Sequence, residues 1–364
     1  MKKKVFLFSF FLFFLFSFKV FAQETFFLDS SYDLFQRESL SAQLIYSTNK
    51  IYFYIDSDWW KKISPSFQNQ FLQQLFYLSS YFENRDYPLI TATFGSEALP
   101  GLDNDSHLYV LFHPLKEKFV GYVRLADFFP KTQINFSNHH EMIYLDPGII
   151  LNTPPEKITY FLSHEFLHLV SFNFKKEKIA SLEEKWLTEA RSEYLATFLG
   201  YNQEYAGSYL EMRVRAFQQN PDFSLFNFEE KPSDYGGVNL LAHYLVDHYG
   251  LKILVDSLKS SSVGIASLNE ALAKNGFNKK FEEIFLDWLI TLAFNDCQLG
   301  EFYCYKNPHL ANFKIYPFSY YLPEVGLARL SAINNLRIYK PLWLKIAGGQ
   351  GELQLNYDFP SGTR

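Results

Sequence analysis

The stretch Ser163-His164-Glu165-Phe166-Leu167-His168-Leu169 constrains this chain more than any other. It lies inside an apolar run that opens after Pro154-Pro155 and continues to about Phe174. Two prolines end whatever precedes them and suit a helix start, because the fixed φ fits the first turn and the missing N–H is not needed there. Ile158, Phe161, Leu162, Leu169 and Val170 then recur at helical spacing, which predicts a buried helix with the motif in its middle. On such a helix His164 and His168 stand one turn apart on one face and can bind one metal ion. Glu165 is offset around the axis, so its carboxylate faces a water beside the metal rather than the metal itself. A carboxylate so placed can take the water's proton, which is the chemistry of a zinc hydrolase. The plainer alternative is a pair of histidines satisfied within the core.

The next helix weighs against that alternative. Ser181-Leu182-Glu183-Glu184 has the form of a capping box, and the helix it predicts runs to about Gly200, a natural C-terminal stop. It carries Trp186-Leu187-Thr188-Glu189-Ala190, with Glu193 a turn further on. Twenty residues lie between His168 and Glu189, enough for a short connection and a return helix that brings a carboxylate to the histidine pair. Three protein ligands with an open fourth position is the catalytic rather than the structural arrangement of zinc. Glu193, at i+4 from Glu189, is placed to hydrogen-bond the far nitrogen of a ligand histidine.

His164-Glu165-x-x-His168 followed by Trp186-Leu187-x-Glu189 resembles the gluzincin metallopeptidases, and among them most resembles the hyicolysin-type secreted bacterial peptidases. The likeness takes in Phe94-Gly95, Asp103-Asn104-Asp105, Gly121-Tyr122 and the segment Asn138-His139-His140-Glu141-Met142-Ile143-Tyr144-Leu145-Asp146. Downstream it reaches Tyr235-Gly236 and about Asn295, so it covers roughly residues 90 to 295, with the metal motif as its specific part. The chain departs from the family at Ala190-Arg191, where a glycine and an apolar residue usually follow the third ligand. The resemblance implies a zincin-like fold and a peptidase, with Tyr235 at the position that serves several gluzincins as an oxyanion donor. Hydrolysis through a tetrahedral intermediate needs such a donor beside the metal. His243 is the substitute candidate, although a histidine on a helix face is more often structural.

Residues 1–22 read as a secretory signal peptide: Lys2-Lys3-Lys4, an apolar run from Val5 to Phe18, and Val20-Phe21-Ala22 as a small-residue cleavage site before Gln23. The other reading is an uncleaved anchor, for which the run is short and interrupted by Lys19. The exported part keeps 30 Lys and Arg against 39 Asp and Glu, a net charge of −9, which does not suit a nucleic-acid partner. Cys297 and Cys304 are the two cysteines, and export favours a disulfide between them over two free thiols.

Two runs, 42–46 and 51–55, flank the turn-forming Ser47-Thr48-Asn49-Lys50 and predict a hairpin. Ser64-Pro65 predicts a capped helix with Phe67, Phe71, Leu75, Leu78 and Phe82 on its apolar face, and strands follow at 108–112 and 141–145. His107, His113, His139 and His140 lie among these strands. In gluzincins generally a sheet edge beside the metal aligns an extended peptide by strand addition, and by resemblance the segment at His139-His140 could supply it. Its composition favours a polar turn. Helices are expected from Pro232 to Tyr249, from a second capping box at Ser267-Leu268-Asn269-Glu270 to about Gly276, and over 281–294 with Trp288 in the core. From about Tyr303 the texture turns β-rich, with short strands expected at 330–332, 336–339, 342–346 and 353–357.

The expectation is an α+β chain: a signal peptide over 1–22, a β/α lobe over 23–155, a helical lobe carrying the metal site over 156–300 and a β-rich segment over 301–364. His164, His168 and Glu189 are expected to hold one zinc ion per chain. Glu165 is the expected general base, Glu193 the orienting carboxylate and Tyr235 the oxyanion donor. The expected activity is an endopeptidase acting on protein or peptide outside the cytoplasm (periplasmic, cell-surface or secreted), without nucleic acid and without a stable membrane span after cleavage. Two alternatives stand beside it: a zinc-binding surface protein without turnover, and a hydrolase of non-peptide amides.

Overall fold

The computed structural model describes residues 23–178, 182–221, 223–317, 319–325, 339–350, 352, 354 and 356, so the expected signal peptide lies outside the described residues. The chain opens with β1 (Gln23–Phe27), β2 (Ser39–Ser47) and β3 (Ile51–Asp56), an antiparallel meander. The predicted turn closes the β2–β3 hairpin, with the Thr48 hydroxyl accepting from the N–H groups of Lys50 and Ile51. After α1 (Ser57–Lys62) comes α2 (Pro65–Tyr81), which starts as expected: Pro65 stands first and the Ser64 hydroxyl accepts from the Phe67 N–H at 3.4 Å. Phe71, Leu75, Leu78 and Phe82 are buried, whereas Phe67, on the first turn, is 52% exposed and outside the core. A π-turn at Phe82–Asp86 leads into α3 (Tyr87–Thr93).

Three further strands, β4 (Leu108–Phe112), β5 (Gly121–Val123) and β6 (Met142–Leu145), complete a six-stranded mixed sheet in the order β1-β2-β3-β4-β6-β5. Its centre, β3-β4-β6, is parallel, and β5 runs antiparallel along β6 as an edge. Central strands buried on both faces read as continuous apolar runs, which is why 108–112 and 142–145 were legible. Phe53, Ile55, Val110, Phe112, Ile143 and Leu145 face helices, while Tyr54, Leu111 and Tyr144 form a smaller core on the opposite face.

The helical half follows: α4 (Pro147–Asn152), α5 (Pro155–Lys178), α6 (Lys185–Phe198), α7 (Tyr209–Gln219), α8 (Pro232–Tyr249), α9 (Lys252–Lys259), α10 (Gly264–Lys274) and α11 (Phe281–Phe294). The motif helix α5 starts at Pro155 as predicted, and its Ile158, Leu162, Phe166, Leu169 and Val170 share one core with the sheet. In α6, Trp186, Leu187 and Ala190 belong instead to a second core built with α7, α8, α10 and α11 around Trp288. The two motif helices are therefore the seam between two cores. Gly200 at φ +82° and Gly250 at φ +81° end α6 and α8 where expected.

Two capping boxes are corrected. Helix α6 begins at Lys185 with no side-chain cap; Ser181 lies outside the described residues, and Glu183 is drawn away to the buried guanidinium of Arg191. Helix α10 begins at Gly264, so Ser267 is interior and bonds back to the Gly264 carbonyl, while Glu270 accepts from Ser260 and Ser262. Cys297 and Cys304 form a disulfide. Beyond it, β7 (Ser319–Leu322) and β8 (Lys345–Gly348) pair in parallel. The strand expected at 342–346 is realised only from Lys345; those at 330–332 and 336–338 lie outside the described residues, and 354 and 356 are not strand. Among the described residues no helix is long and apolar enough to cross a membrane.

Candidate metal centre

The i, i+4 spacing on α5 turns both histidines toward α6, with their Nε2 atoms 3.2 Å apart. Burial of Trp186, Leu187 and Ala190 in the second core rotates α6 so that Glu189 faces them. Its Oε2 lies 3.4 Å from His164 Nε2 and its Oε1 3.7 Å from His168 Nε2. Among the described residues this is the one group of three histidine, cysteine or carboxylate side chains whose ligand atoms all lie within 4.8 Å of one another. Burial works to raise the Glu189 carboxyl, but the facing histidines outweigh it and hold it well below the usual carboxylate range. Glu189 Oε2 is buried and makes no hydrogen bond. An orphaned acceptor facing two imidazole nitrogens is a donor set that suits zinc.

Glu165 is 9% exposed. Burial pushes its carboxyl up to about 7, with Glu189 adding to the shift and His168 opposing it. Behind it runs the edge strand β5. A Cβ on Gly121 would stand 3.0 Å from the Tyr144 carbonyl oxygen and 3.1 Å from Glu165 Cγ, so a glycine here lets the strand lie close against Glu165. The other side of β5 has no partner strand among the described residues.

The His139-His140 segment does not supply the sheet edge that the resemblance allowed; β5 is the edge strand. Those residues precede β6, an interior strand; His139 sits at φ +61°, and His140 bonds Asp103 at 2.8 Å and stacks on Tyr109 at 3.9 Å. The turn reading of that segment is the better one. Beyond the edge, Tyr144, Tyr122 and Tyr32 form a ladder of stacked rings at 4.4 Å steps, the last ring lying past β5. Tyr32 is held there by its neighbour Asp33, which is fully buried and bonded to His113 at 3.0 Å and to Arg37 at 2.8 Å. His113 reaches on to the Tyr122 hydroxyl at 3.2 Å.

Glu193 does not orient a ligand histidine. Both of its oxygens are taken by Arg213 from α7, at 2.6 and 2.7 Å, because a buried carboxylate finds its strongest partner in a bidentate guanidinium. That guanidinium lies 4.7 Å from the ring centre of Tyr235, so Glu193 bears on Tyr235 instead. Burial, and then the charges of Glu189 and Glu230, push the Tyr235 hydroxyl well above the usual tyrosine range. His243 is removed from the centre: it is buried between α6 and α8 and bonds Thr197 and the Asn239 carbonyl at 2.8 and 2.9 Å.

At the position where the chain departs from the gluzincin pattern, Arg191 points away from the ligands. It is fully buried, paired with Glu183 at 2.9 Å and bonded to Ser257 at 2.9 Å, and Lys175 of α5 lies 3.4 Å from the same carboxylate. The departure thus leaves the ligand geometry untouched. Two groups escaped sequence reasoning altogether. Tyr160 brings its hydroxyl to 3.3 Å from His164 Nδ1, and its spacing of four from His164 was a usable signal. Asp86, in the π-turn, accepts from Ser163 at 2.7 Å and Tyr201 at 2.6 Å and had no local signal. No protein-family model matches this chain, and no curated protein matches it.

Proposed function

We propose that this chain is an exported zinc metallopeptidase of the gluzincin kind, most like the hyicolysin-type peptidases, with a zincin-like arrangement of sheet and helices. The observation that carries the reading is the convergence of His164, His168 and the orphaned Glu189 oxygen on one point beside a buried Glu165. Zinc held by these three side chains would act as a Lewis acid and bring a water's pKa toward neutrality. Glu165, buried beside the histidine pair, would take that water's proton and return it to the leaving amine. Tyr235, at the position the gluzincin resemblance gives to an oxyanion donor, would supply that hydrogen bond.

An extended peptide is aligned in this reading by pairing with the open side of β5, which fixes the scissile carbonyl against Glu165 through main-chain hydrogen bonds. The substrate is therefore protein or peptide, and the −9 charge of the exported chain speaks against nucleic acid. The test is zinc content and casein hydrolysis measured on one preparation, beside His164→Ala and Glu165→Gln. Stoichiometric zinc and chelator-sensitive cleavage are expected, both lost in His164→Ala. Glu165→Gln should keep its metal and lose nearly all hydrolysis. A Glu165→Gln protein that cleaves as fast as the parent overturns the mechanism, and a folded parent without zinc overturns the class.

A further inference from the structure

A histidine that offers Nε2 to a metal must carry its proton on Nδ1, and the group facing Nδ1 decides both the tautomer and the ring's orientation. His168 has no such partner in the described hydrogen bonds, and Glu193, the nearest carboxylate on α6 in sequence, is fully engaged by Arg213. One group does face His164. The Tyr160 hydroxyl lies 3.3 Å from Nδ1, one turn earlier on the same helix, while Nε2 of the same ring faces Glu189.

Resting on the zinc-peptidase reading above, we propose that Tyr160 is the positioning residue of the centre, accepting a hydrogen bond from His164 Nδ1 so that Nε2 stays free for the metal. Its site is built for that. Tyr160 is 2% exposed, its ring packs on Tyr209 at 4.2 Å and lies 5.9 Å from Tyr201, and Tyr201 is tied through Asp86 to Ser163, the residue before His164. A phenol, unlike a carboxylate, is uncharged at neutral pH. The partner of His164 is thus a neutral oxygen rather than a carboxylate, and the nearby carboxylate is neutralised by Arg213. Two neutral imidazoles and one carboxylate leave a divalent ion with net positive charge, which favours polarisation of whatever binds in the open position.

The experiment is zinc affinity by chelator competition on the full chain for the parent, Tyr160→Phe and Tyr209→Phe. Tyr160→Phe removes the hydroxyl and keeps the ring; Tyr209→Phe does the same to the neighbouring ring of the cluster, whose hydroxyl donates to the Lys157 carbonyl. Loss of an outer-shell partner is expected to weaken zinc binding about 10–100-fold in Tyr160→Phe, with Tyr209→Phe at the parent's value. Unchanged affinity in Tyr160→Phe, or an equal loss in both variants, overturns the proposal while the parent's own zinc keeps the peptidase reading standing. A parent that binds no zinc overturns both. Should Tyr160→Phe fail to fold, the parent decides alone: the zinc-loaded protein should show an exchange-protected imidazole N–H at His164 Nδ1 by NMR, and a freely exchanging one overturns the assignment.

Discussion

Single residues here take their meaning from what faces them. Glu193 has the spacing to hydrogen-bond a histidine of the pair, yet Arg213 claims it, and a neutral tyrosine stands behind His164 instead. Glu141 shows how far burial alone can carry a group. Desolvation pushes its carboxyl up to about 7, with the Leu102 N–H opposing and Asp103 and Glu97 adding. Its folded pKa therefore lies above the ordinary value, and the native state holds a proton that the unfolded chain has lost. Stability from this group is complete below about pH 4.5 and falls as pH rises through about 7. Glu141→Gln removes the titration and keeps an acceptor for Leu102. Urea unfolding at pH 5 and pH 8 is expected to show the variant gaining on the parent at the higher pH; parallel pH dependences would place the carboxylate's pKa elsewhere.

At the scale of elements, β5 is three residues long and open on one side, yet it sits where the sheet meets Glu165. A short edge is ordinarily a device against unwanted pairing. Here the ring ladder and the buried Asp33–His113–Tyr122 chain hold it rigidly from one face, and α5 holds it from the other. Gly121→Val puts a Cβ 2.8 Å from Leu145 Cδ2 and 3.0 Å from a carbonyl oxygen that cannot yield cheaply. Either the strand or its neighbours on β6 and α5 must shift. If β5 aligns the substrate as proposed, such a displacement is expected to lower kcat/KM by about 10²-fold. Zinc content should stay at the parent's level, because the ligands lie on other elements. Full activity in a folded Gly121→Val protein would remove β5 from the peptide-binding surface.

Across the whole molecule, the two cores meet along α5 and α6, and one buried carboxylate fastens them. Glu183 pairs with Arg191 and Lys175 and accepts from the Gly264 N–H, so α5, α6 and α10 share a single anchor, which Arg191 extends to Ser257 of α9. Glu183→Ala leaves the buried Arg191 guanidinium without its carboxylate and Lys175 with main-chain carbonyls in place of a counter-charge, and such a break is expected to cost about 3–5 kcal/mol. Chemical denaturation should register that loss; a difference within about 0.5 kcal/mol would mean that solvent reaches these groups. The sequence by itself determined that His164, His168 and Glu189 come together, the start of α5, the ends of α6 and α8, the core strands and the bounds of α11. Each follows from local periodicity, proline and glycine geometry, or spacing along one helix, none of which needs a distant partner. Only the tertiary structure decided that β5 is the open edge, that α6 and α10 do not start at their capping boxes, and that Tyr160 rather than Glu193 faces His164. Strand order, competition for a buried charge and the choice of hydrogen-bond partner all depend on which side chains residues far apart in the chain bring into reach, and no local pattern records that.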